Sequence, residues 1–387
     1  MSMWTILLMV MCNMLAYKGS KIIITLFSIE LGASQVAIGA LVALYSLFPM
    51  LLAIYAGKLV DRLGVRWPMA AGSCGLAVGL TLPYFFPATI TLYLQAALVG
   101  AAHVFYNVSV QNLIGGIGTA DDRTKNFSNF GLAMSAGSFV GPLICGFGID
   151  QFGHARAYLM IAVFPLITAA IMASATHMKN KRVTRQADAA TTATAKGDAA
   201  AKSPPFELFF AHPSLRRALI TGAVILTGID LFHFYMPIYG HHIGLSASQI
   251  GVVLAVFSAA SFVVRVCMPA IVKRLGAEKV LIGSMFVAAT TYIAVPYITH
   301  MVLLCVVCFI LGLGTGCGQP LSLSLIYERA PGGRSGEALG VRATLNNFTH
   351  MVTPLLFGAI GTAFGVAPVF WCNTVMLAAS GLIMRRK

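Results

Sequence analysis

The fold is decided by the stretch Gly57-Lys58-Leu59-Val60-Asp61-Arg62-Leu63-Gly64-Val65-Arg66, a short charged run between two long apolar segments. Of the 387 residues in the chain, 58% are hydrophobic and only 10% are charged. A soluble domain carries about 25% charged residues, so this composition is typical of a membrane protein. A charged run in such a chain marks a place where the chain leaves the membrane and then enters it again.

Apolar segments of roughly 20 residues, the length that an α-helix needs to cross a bilayer, recur along the whole chain. The hydropathy pattern predicts twelve spans, at 4–28, 36–58, 68–87, 91–114, 127–149, 156–176, 216–239, 248–271, 279–299, 301–325, 338–363 and 366–384. Lipid offers no partners to backbone N–H and C=O groups, so segments of this length are predicted to be helices. We therefore predict an all-α membrane protein. We expect the first span to be retained, because Met1–Met14 lacks the basic start of a signal peptide.

A polar segment between the sixth and seventh predicted spans divides the chain. His177 to Pro205 is rich in Ala, Thr and Lys and has too few large apolar residues to build a core. The pattern predicts an N-terminal six-helix bundle at 1–176, a cytoplasmic linker at 177–214 and a C-terminal six-helix bundle at 215–387.

The net charge of +14 is distributed according to topology. Lys18, Lys21, Arg265 and Arg342 fall inside spans and Arg156 falls on one side of the membrane. The other 21 of the 26 Lys and Arg residues (26 − 5 = 21) fall in loops on the opposite side. Basic loops mark the cytoplasmic side, so we expect a multi-pass protein of the cytoplasmic (inner) membrane with both termini in the cytoplasm. No nucleic-acid partner is expected.

The two halves of the chain align at a constant offset of 212 residues (251 − 39 = 212). The matched pairs cluster on glycine and proline: Gly39 with Gly251, Gly64 with Gly276, Gly100 with Gly312, Pro142 with Pro354, Gly146 with Gly358, and Gly153 with Gly365. Because these residues shape the backbone, their fixed spacing indicates that both halves share one backbone fold, as in a parallel six-helix repeat.

The opening stretch reads G-x-L-x-D-R-x-G-x-R and resembles the loop between the second and third helices of major facilitator superfamily transporters. With the six-plus-six repeat, this resemblance implies that family's fold, with a central site between the halves. It also implies a cytoplasmic latch that gates the site. The latch residues are Gly57, Asp61, Arg62, Gly64 and Arg66. We expect Gly57 to permit close helix approach and Asp61 to pair with Arg62 or Arg66. Val65 stands where the family usually has a basic residue, and Lys273 replaces the acid in the second repeat, so only one latch is complete.

The fifth span carries a second pattern, Gly137-x-x-x-Gly141-Pro142-x-x-Cys145-Gly146. Small residues on one face let a partner helix approach closely, and a proline frees a carbonyl and bends the helix. The pattern resembles the antiporter motif of the drug:proton antiporter branch, with Cys145 replacing the first of its paired glycines, and it implies export. The basic residue that this branch commonly carries in the fourth span is absent, which argues against a standard multidrug mechanism.

Asp230 is the one acid of the twelve that falls well inside a span. It lies 13 residues past Arg217 (230 − 217 = 13), about 20 Å along a helix and therefore near mid-bilayer. Burial and a nearby cation shift a carboxyl's pKa in opposite directions, so such a group can titrate in a useful range. Intramembrane ionisable residues usually serve function, and Asp230 is therefore the predicted proton-coupling residue.

Three neighbours of Asp230 are predicted from the repeat. Asp230 and His233 share one helix face and align with Lys18 and Lys21 (230 − 212 = 18, 233 − 212 = 21). The resemblance implies that the first and seventh helices line the central cavity, so Lys18 and His233 are expected to modulate the proton site. The alternative is a structural Lys18–Asp230 ion pair with Lys21 extending outward.

The residues predicted to contact the substrate are Lys18, Lys21, Asp230, Arg342, Asn107 and Gln319. Asn107 and Gln319 are repeat partners (107 + 212 = 319) for which a packing role is the alternative. His350, two turns past Arg342, is a further candidate. Three cations against one acid favour an anionic or zwitterionic substrate, because buried cations need a counter-ion.

No cofactor or metal is expected. Cys305 and Cys308 form a C-x-x-C on a membrane helix without a neighbouring His or acid, and the His241-His242 pair lacks a third ligand. No nucleophile–base–acid set indicates an enzyme.

The sequence thus predicts a monomeric, proton-coupled secondary transporter that works by alternating access. It is expected to export a small anionic or amphiphilic metabolite, such as a carboxylate siderophore or a drug. Two alternatives stay open. One is a proton symporter that imports an organic anion, and the other is a transporter-fold sensor or scaffold without flux.

Overall fold

The computed structural model describes residues 2–117, 120–174, 210, 212–330 and 335–385. These residues form thirteen α-helices and one short 3-10 helix, Val295–Tyr297. The first six helices are α1 Met3–Glu30, α2 Gln35–Leu63, α3 Arg66–Phe85, α4 Thr89–Gly115, α5 Ala120–Phe152 and α6 His154–Ser174. The others are α7 Pro213–His242, α8 Ala247–Leu275, α9 Ala277–Ala294, α10 Met301–Gly316, α11 Gly318–Arg329, α12 Ser335–Phe364 and α13 Val366–Arg385.

The prediction of an all-α membrane protein is confirmed. Ten helical stretches among the described residues are long and apolar enough to cross a membrane, with α10 and α11 counted as one stretch, Met301–Arg329. Together with α3 and α12 they match the twelve predicted spans to within a few residues at most ends. The main exceptions are α5, which was expected to begin near residue 127 and begins at Ala120, and α2, which was expected to end near residue 58 and continues to Leu63.

Among the described residues, six glycines adopt a positive φ, a backbone conformation that L-residues with a side chain rarely adopt. They are Gly32, Gly64, Gly153, Gly244, Gly276 and Gly365. They form three pairs at the repeat offset (244 − 32 = 276 − 64 = 365 − 153 = 212). The turns that end α1, α2 and α5 therefore recur after α7, α8 and α12, which supports the prediction of a shared backbone fold.

Contacts divide the chain into two compact units, and the first comprises α1–α6 together with Met236–Ala255. In this unit α1 packs against α5 and α6, while α4 packs against α2 and α3. Helix α3 also packs along α6. A buried apolar cluster joins α1, α3, α4, α5 and α6; its core members are Ile6, Met9, Val10, Met69, Tyr106, Val110, Ile114, Phe130 and Met172.

Close approach between α5 and α1 depends on glycine. A Cβ atom placed on Gly137 would lie 2.8 Å from the Met11 carbonyl oxygen, and one on Gly141 would lie 2.7 Å from the Leu15 carbonyl oxygen. Real Cβ atoms do not approach carbonyl oxygens so closely. The predicted small-residue face of the fifth span is therefore confirmed as a close packing surface.

The end of α5 also meets the start of α8. A Cβ atom on Gly146 would collide with the Ala247 carbonyl oxygen, and one on Gly251 would lie 2.5 Å from the Pro142 carbonyl oxygen. The Asp150 carboxylate accepts hydrogen bonds from the first backbone amides of α8, Ala247 N–H at 3.0 Å and Ser248 N–H at 2.9 Å. A carboxylate at a helix N-terminus satisfies amides that lack helical partners and complements the helix dipole.

The second unit contains the remaining described residues, including the rest of α7 and α8 and the helices α9–α13. Here α9 packs against α10, α11 and α13, and α12 packs against α11 and α13. The tenth predicted span is interrupted at Cys317, where α10 ends and α11 begins. The predicted linker at 177–214 lies almost entirely outside the described residues, and the domain division placed there stays a prediction.

We predict that Gly141→Ala lowers the free energy of unfolding by about 1–3 kcal/mol, because the added methyl group overpacks the α1–α5 contact. Gly131→Ala is the matched control on the same helix, since no described atom lies within 4 Å of a Cβ atom at Gly131. This control should be neutral or slightly stabilising, because alanine favours helix more than glycine does. Thermal unfolding of both purified variants in one detergent measures the difference, and equal effects would contradict the packing argument.

Candidate substrate and proton sites

An aromatic and cationic cluster lies on α1, α2 and α4 of the first unit. The His103 ring stacks on the Tyr17 ring, with centroids 3.7 Å apart and planes 9° from parallel. The Lys21 ammonium lies 5.2 Å from the Tyr17 ring centroid and 5.6 Å from that of Tyr45, within range of cation–π attraction. The His103 Nδ1 atom is buried and has no hydrogen-bond partner among the described residues. The cluster thus offers polar groups that a substrate could engage.

A hydrogen-bond chain fixes one wall of this cluster. The Tyr45 side chain is fully buried, and its hydroxyl accepts from Gln95 Nε2 at 2.7 Å and donates to Ser20 Oγ at 3.2 Å. Tyr158 donates to the other side of the same amide, at Gln95 Oε1. A buried polar chain of this kind holds its members in one geometry because each unmade bond would cost free energy.

The other two predicted residues of the first unit have different surroundings. Lys18 is half-buried on α1 and lies close enough to His103 to act on it electrostatically, as Lys21 does. Asn107 accepts a hydrogen bond from Gln111 Nε2, 2.8 Å away and one turn along α4. The structure thus gives Asn107 a partner within its own helix, while its predicted contact with substrate stays a prediction.

In the second unit the partner of Asp230 is His350. The Nδ1 atom of His350, on α12, lies 2.5 Å from Oδ2 of Asp230, on α7. Both side chains are partly buried, with 20% of Asp230 and 39% of His350 exposed. The ring of His233, the expected modulator, lies edge-on to the ring of Phe257 with centroids 5.4 Å apart, and its modulating role stays a prediction. Helical spacing pointed to His233, whereas only tertiary packing brings His350 to the carboxylate.

Arg342 and Gln319 form a second polar group in this unit. Arg342 Nη2 donates to Gln319 Oε1 at 2.7 Å, and Gln319 Nε2 donates to the Gly222 carbonyl oxygen at 3.3 Å. The Nε atom of Arg342 is buried and has no hydrogen-bond partner among the described residues. The amide therefore orients the guanidinium, whose Nε–H donor has no partner among the described residues.

The interruption at Cys317 was not predicted. Arg265 on α8 donates from Nε to the Gly316 carbonyl oxygen at 3.0 Å, and so satisfies a carbonyl at the end of α10. Pro320 falls in the first turn of α11, where its missing N–H costs nothing. The sequence Gly316-Cys317-Gly318-Gln319-Pro320 carries the signal for this break. The contact of Arg265 is therefore to the backbone of a helix end.

The gating motif differs from the predicted loop. Helix α2 runs through Gly57, Asp61 and Arg62, and only Gly64, with a φ of 76°, makes the turn into α3. A Cβ atom on Gly57 would meet no described atom within 4 Å, so the expected close helix approach at Gly57 is wrong for this structure.

Arg66 contacts α6 and not Asp61. Its Nε and Nη2 atoms donate to the carbonyl oxygens of Met172, at 3.2 Å, and Ala173, at 2.8 Å. The described residues show no ion pair between Asp61 and Arg62 or Arg66. The expected pairing is therefore wrong here, and the gating role itself stays a prediction.

Comparison with known proteins gives the family. The model of the Major Facilitator Superfamily matches residues 6–349 and, in a second alignment, 219–386. The chain belongs to the major facilitator superfamily. Members of this superfamily are transporters and not enzymes, so the protein is a multi-pass membrane transporter.

Named relatives of this transporter cover most of its length. The tetracycline resistance protein, class G, of Vibrio anguillarum is 24% identical over 338 residues, which are 86% of this chain and 82% of the relative. The multidrug efflux pump LfrA of Mycolicibacterium smegmatis is 25% identical over 370 residues, covering 84% of this chain and 73% of the relative. The crystal structure of the nucleoside transporter NupG is similar in fold, with a TM-score of 0.80 at 13% identity, and covers 100% of both chains.

The contact of Arg66 with α6 generates a prediction. Arg66→Lys should reduce stability by about 1 kcal/mol, because an ammonium cannot reproduce the two-atom donation to the last carbonyls of α6. Arg62→Lys, four residues earlier in the same motif, is the matched control, since Arg62 is exposed at the end of α2. Thermal unfolding of the two variants tests this. A larger loss for Arg62→Lys would show that the motif acts through another contact.

Proposed function

We propose that this transporter couples the export of a small anionic or amphiphilic metabolite to proton movement across the cytoplasmic membrane. The observation that carries the proposal is the hydrogen-bonded pair of Asp230 and His350 within the membrane-spanning helices. A carboxylate and an imidazole in direct contact can share, take up and release one proton. Protonation of the carboxylate removes its charge, so proton binding changes the electrostatics of the surrounding helices.

The charges of the candidate residues support an anionic substrate. The candidate residues inside the helices include Lys18, Lys21 and Arg342 on the basic side, against Asp230 on the acidic side. Asp230 already has a hydrogen-bonded partner in His350, and Arg342 keeps a buried donor at Nε. A carboxylate is the ligand that a guanidinium fork fits best, so carboxylate-bearing metabolites such as siderophores are the favoured class.

The direction of transport is supported by the relatives. The two relatives described above are named for tetracycline resistance and for multidrug efflux, and the fifth helix carries the antiporter-like pattern.

The rival direction, import of an organic anion by proton symport, would use the same residues. Proteoliposomes separate the two. Antiport accumulates substrate in vesicles with an acidic lumen, as protons leave, whereas symport accumulates it in vesicles with an alkaline lumen, as protons enter. If neither gradient drives substrate flux, the result would favour a sensor or scaffold.

Asp230→Asn should abolish proton-driven accumulation while substrate exchange without a gradient persists, because the amide cannot take up a proton. His350→Gln should reduce accumulation at least tenfold, because the His350 ring contacts the carboxylate directly. His242→Gln, at the exposed end of α7, is the control. Proton-driven accumulation that survives in Asp230→Asn would refute the coupling assignment.

Arg342→Gln should raise the KM for a carboxylate substrate about tenfold or more, since losing a charge-assisted hydrogen bond costs about 1.5–3 kcal/mol. Arg274→Gln, an exposed position at the end of α8, controls for the general loss of one positive charge. Ligand-induced thermal stabilisation with carboxylates, amino acids, phosphates and lipophilic cations identifies the substrate class beforehand. Stabilisation by lipophilic cations alone would refute the anionic assignment.

A further inference from the structure

The transport sites leave one groove of the first unit unexplained. It has a volume of about 600 Å³ and lies where α1 and α3 end and where α5 turns into α6. Glu30, His154 and Arg156 supply its charged and titratable lining, and Tyr84, Phe85 and Phe152 supply most of its aromatic lining. All of these residues lie at the helix ends opposite the Gly64 turn, on the side where Arg156 is the one predicted basic residue.

The charged groups of the groove are arranged in a fixed way. His154 Nδ1 lies 2.5 Å from Glu30 Oε2, and the His154 ring stacks on Phe27 with a 6° angle between planes. The stacked histidine therefore positions the Glu30 carboxylate, whose side chain is still 57% exposed. Arg156 is exposed two residues further along. The nearby carboxylate of Asp150 is bound to the amides of α8. The groove thus presents one accessible carboxylate and one accessible guanidinium.

The aromatic residues are exposed at the level where the spans end. Phe85 and Phe152 are 65% and 52% exposed, and Tyr84 is 39% exposed. In the first unit α3 and α6 pack against each other, so these rings border the ends of a neighbouring helix pair. Aromatic rings at this depth contact the glycerol and upper acyl region of lipids. The groove is therefore continuous with a lipid-facing surface.

We propose that this groove binds the headgroup of a zwitterionic aminophospholipid, phosphatidylethanolamine. The phosphate would lie on Arg156, the primary ammonium would donate to Glu30, and the aromatic rings would contact the glycerol and upper acyl chains. An ammonium carries three N–H donors, whereas a choline group carries none, so Glu30 selects ethanolamine over choline. An anionic glycerol headgroup offers Glu30 no cation, so Glu30 also selects against phosphatidylglycerol. This site does not depend on the transport proposal.

The test uses the delipidated full-length protein in detergent. Native mass spectrometry and thermal unfolding are measured with dioleoyl phosphatidylethanolamine, phosphatidylcholine, phosphatidylglycerol and free phosphoethanolamine. Phosphatidylethanolamine should bind and raise the Tm more than the other two lipids. Arg156→Gln should weaken its binding about threefold to tenfold, as expected for an accessible ion pair with some aromatic support. Glu30→Gln should remove the preference for ethanolamine over choline while binding itself persists.

Arg385→Gln removes one exposed guanidinium at the end of α13, and this control should leave the lipid preference unchanged. Equal stabilisation by free phosphoethanolamine would replace the lipid with a soluble ligand and overturn the proposal. The proposal would also be overturned if Arg156→Gln and Glu30→Gln both kept the lipid preference of the unaltered protein. It would likewise be overturned if Arg385→Gln lost as much lipid binding as the groove variants do. Size-exclusion profiles of every variant show whether the fold is retained, and Arg156→Lys, which keeps the charge, should restore most of the binding.

Discussion

The close contact between the backbones of α1 and α5 is the constraint on which the first unit depends. In lipid no hydrophobic force drives one apolar helix against another, so helices associate through packing and interhelical hydrogen bonds. Gly137 and Gly141 remove the side chains that would otherwise keep the two backbones apart. The same device recurs at Gly146 and Gly251, and there the Asp150 carboxylate adds hydrogen bonds to the start of α8. Close backbone packing and charge-assisted hydrogen bonds therefore act together where the end of α5 meets the start of α8.

Three ionisable groups inside the spans of the second unit are each held by a specific partner. Arg265 donates to a carbonyl at the break between α10 and α11, and Arg342 donates to Gln319. Asp230 contacts His350. Because a charge without a partner is costly in the membrane, such contacts explain how the helices tolerate these residues. The partners differ in kind: Arg265 satisfies a backbone carbonyl, whereas Asp230 and Arg342 each contact another side chain.

Much of the fold could be predicted because its signals do not depend on tertiary contacts. Span length, the polar turns and the spacing of Gly64 from Gly276 are all visible in the sequence itself, and the predicted spans agree with the helices to a few residues at most ends. The partner of Asp230 could not be predicted in the same way. His350 was only a further candidate beside Arg342; it lies 120 residues further along the chain than Asp230, and their direct contact forms only through packing. The capping of α8 by Asp150 is equally non-local, and a carboxylate at a span edge gives no sign of it.

The two repeats keep backbone shape and change chemistry. All three pairs of positive-φ glycines are preserved at the repeat offset, because a turn of this kind excludes most other residues. The polar positions diverge instead: Lys18 aligns with Asp230, and Asp150 aligns with Thr362 (150 + 212 = 362). A symmetric arrangement of charges would give both halves the same response to a proton. The proposed proton and anion sites require opposite charges, so the divergence of these pairs is what that proposal requires of the fold.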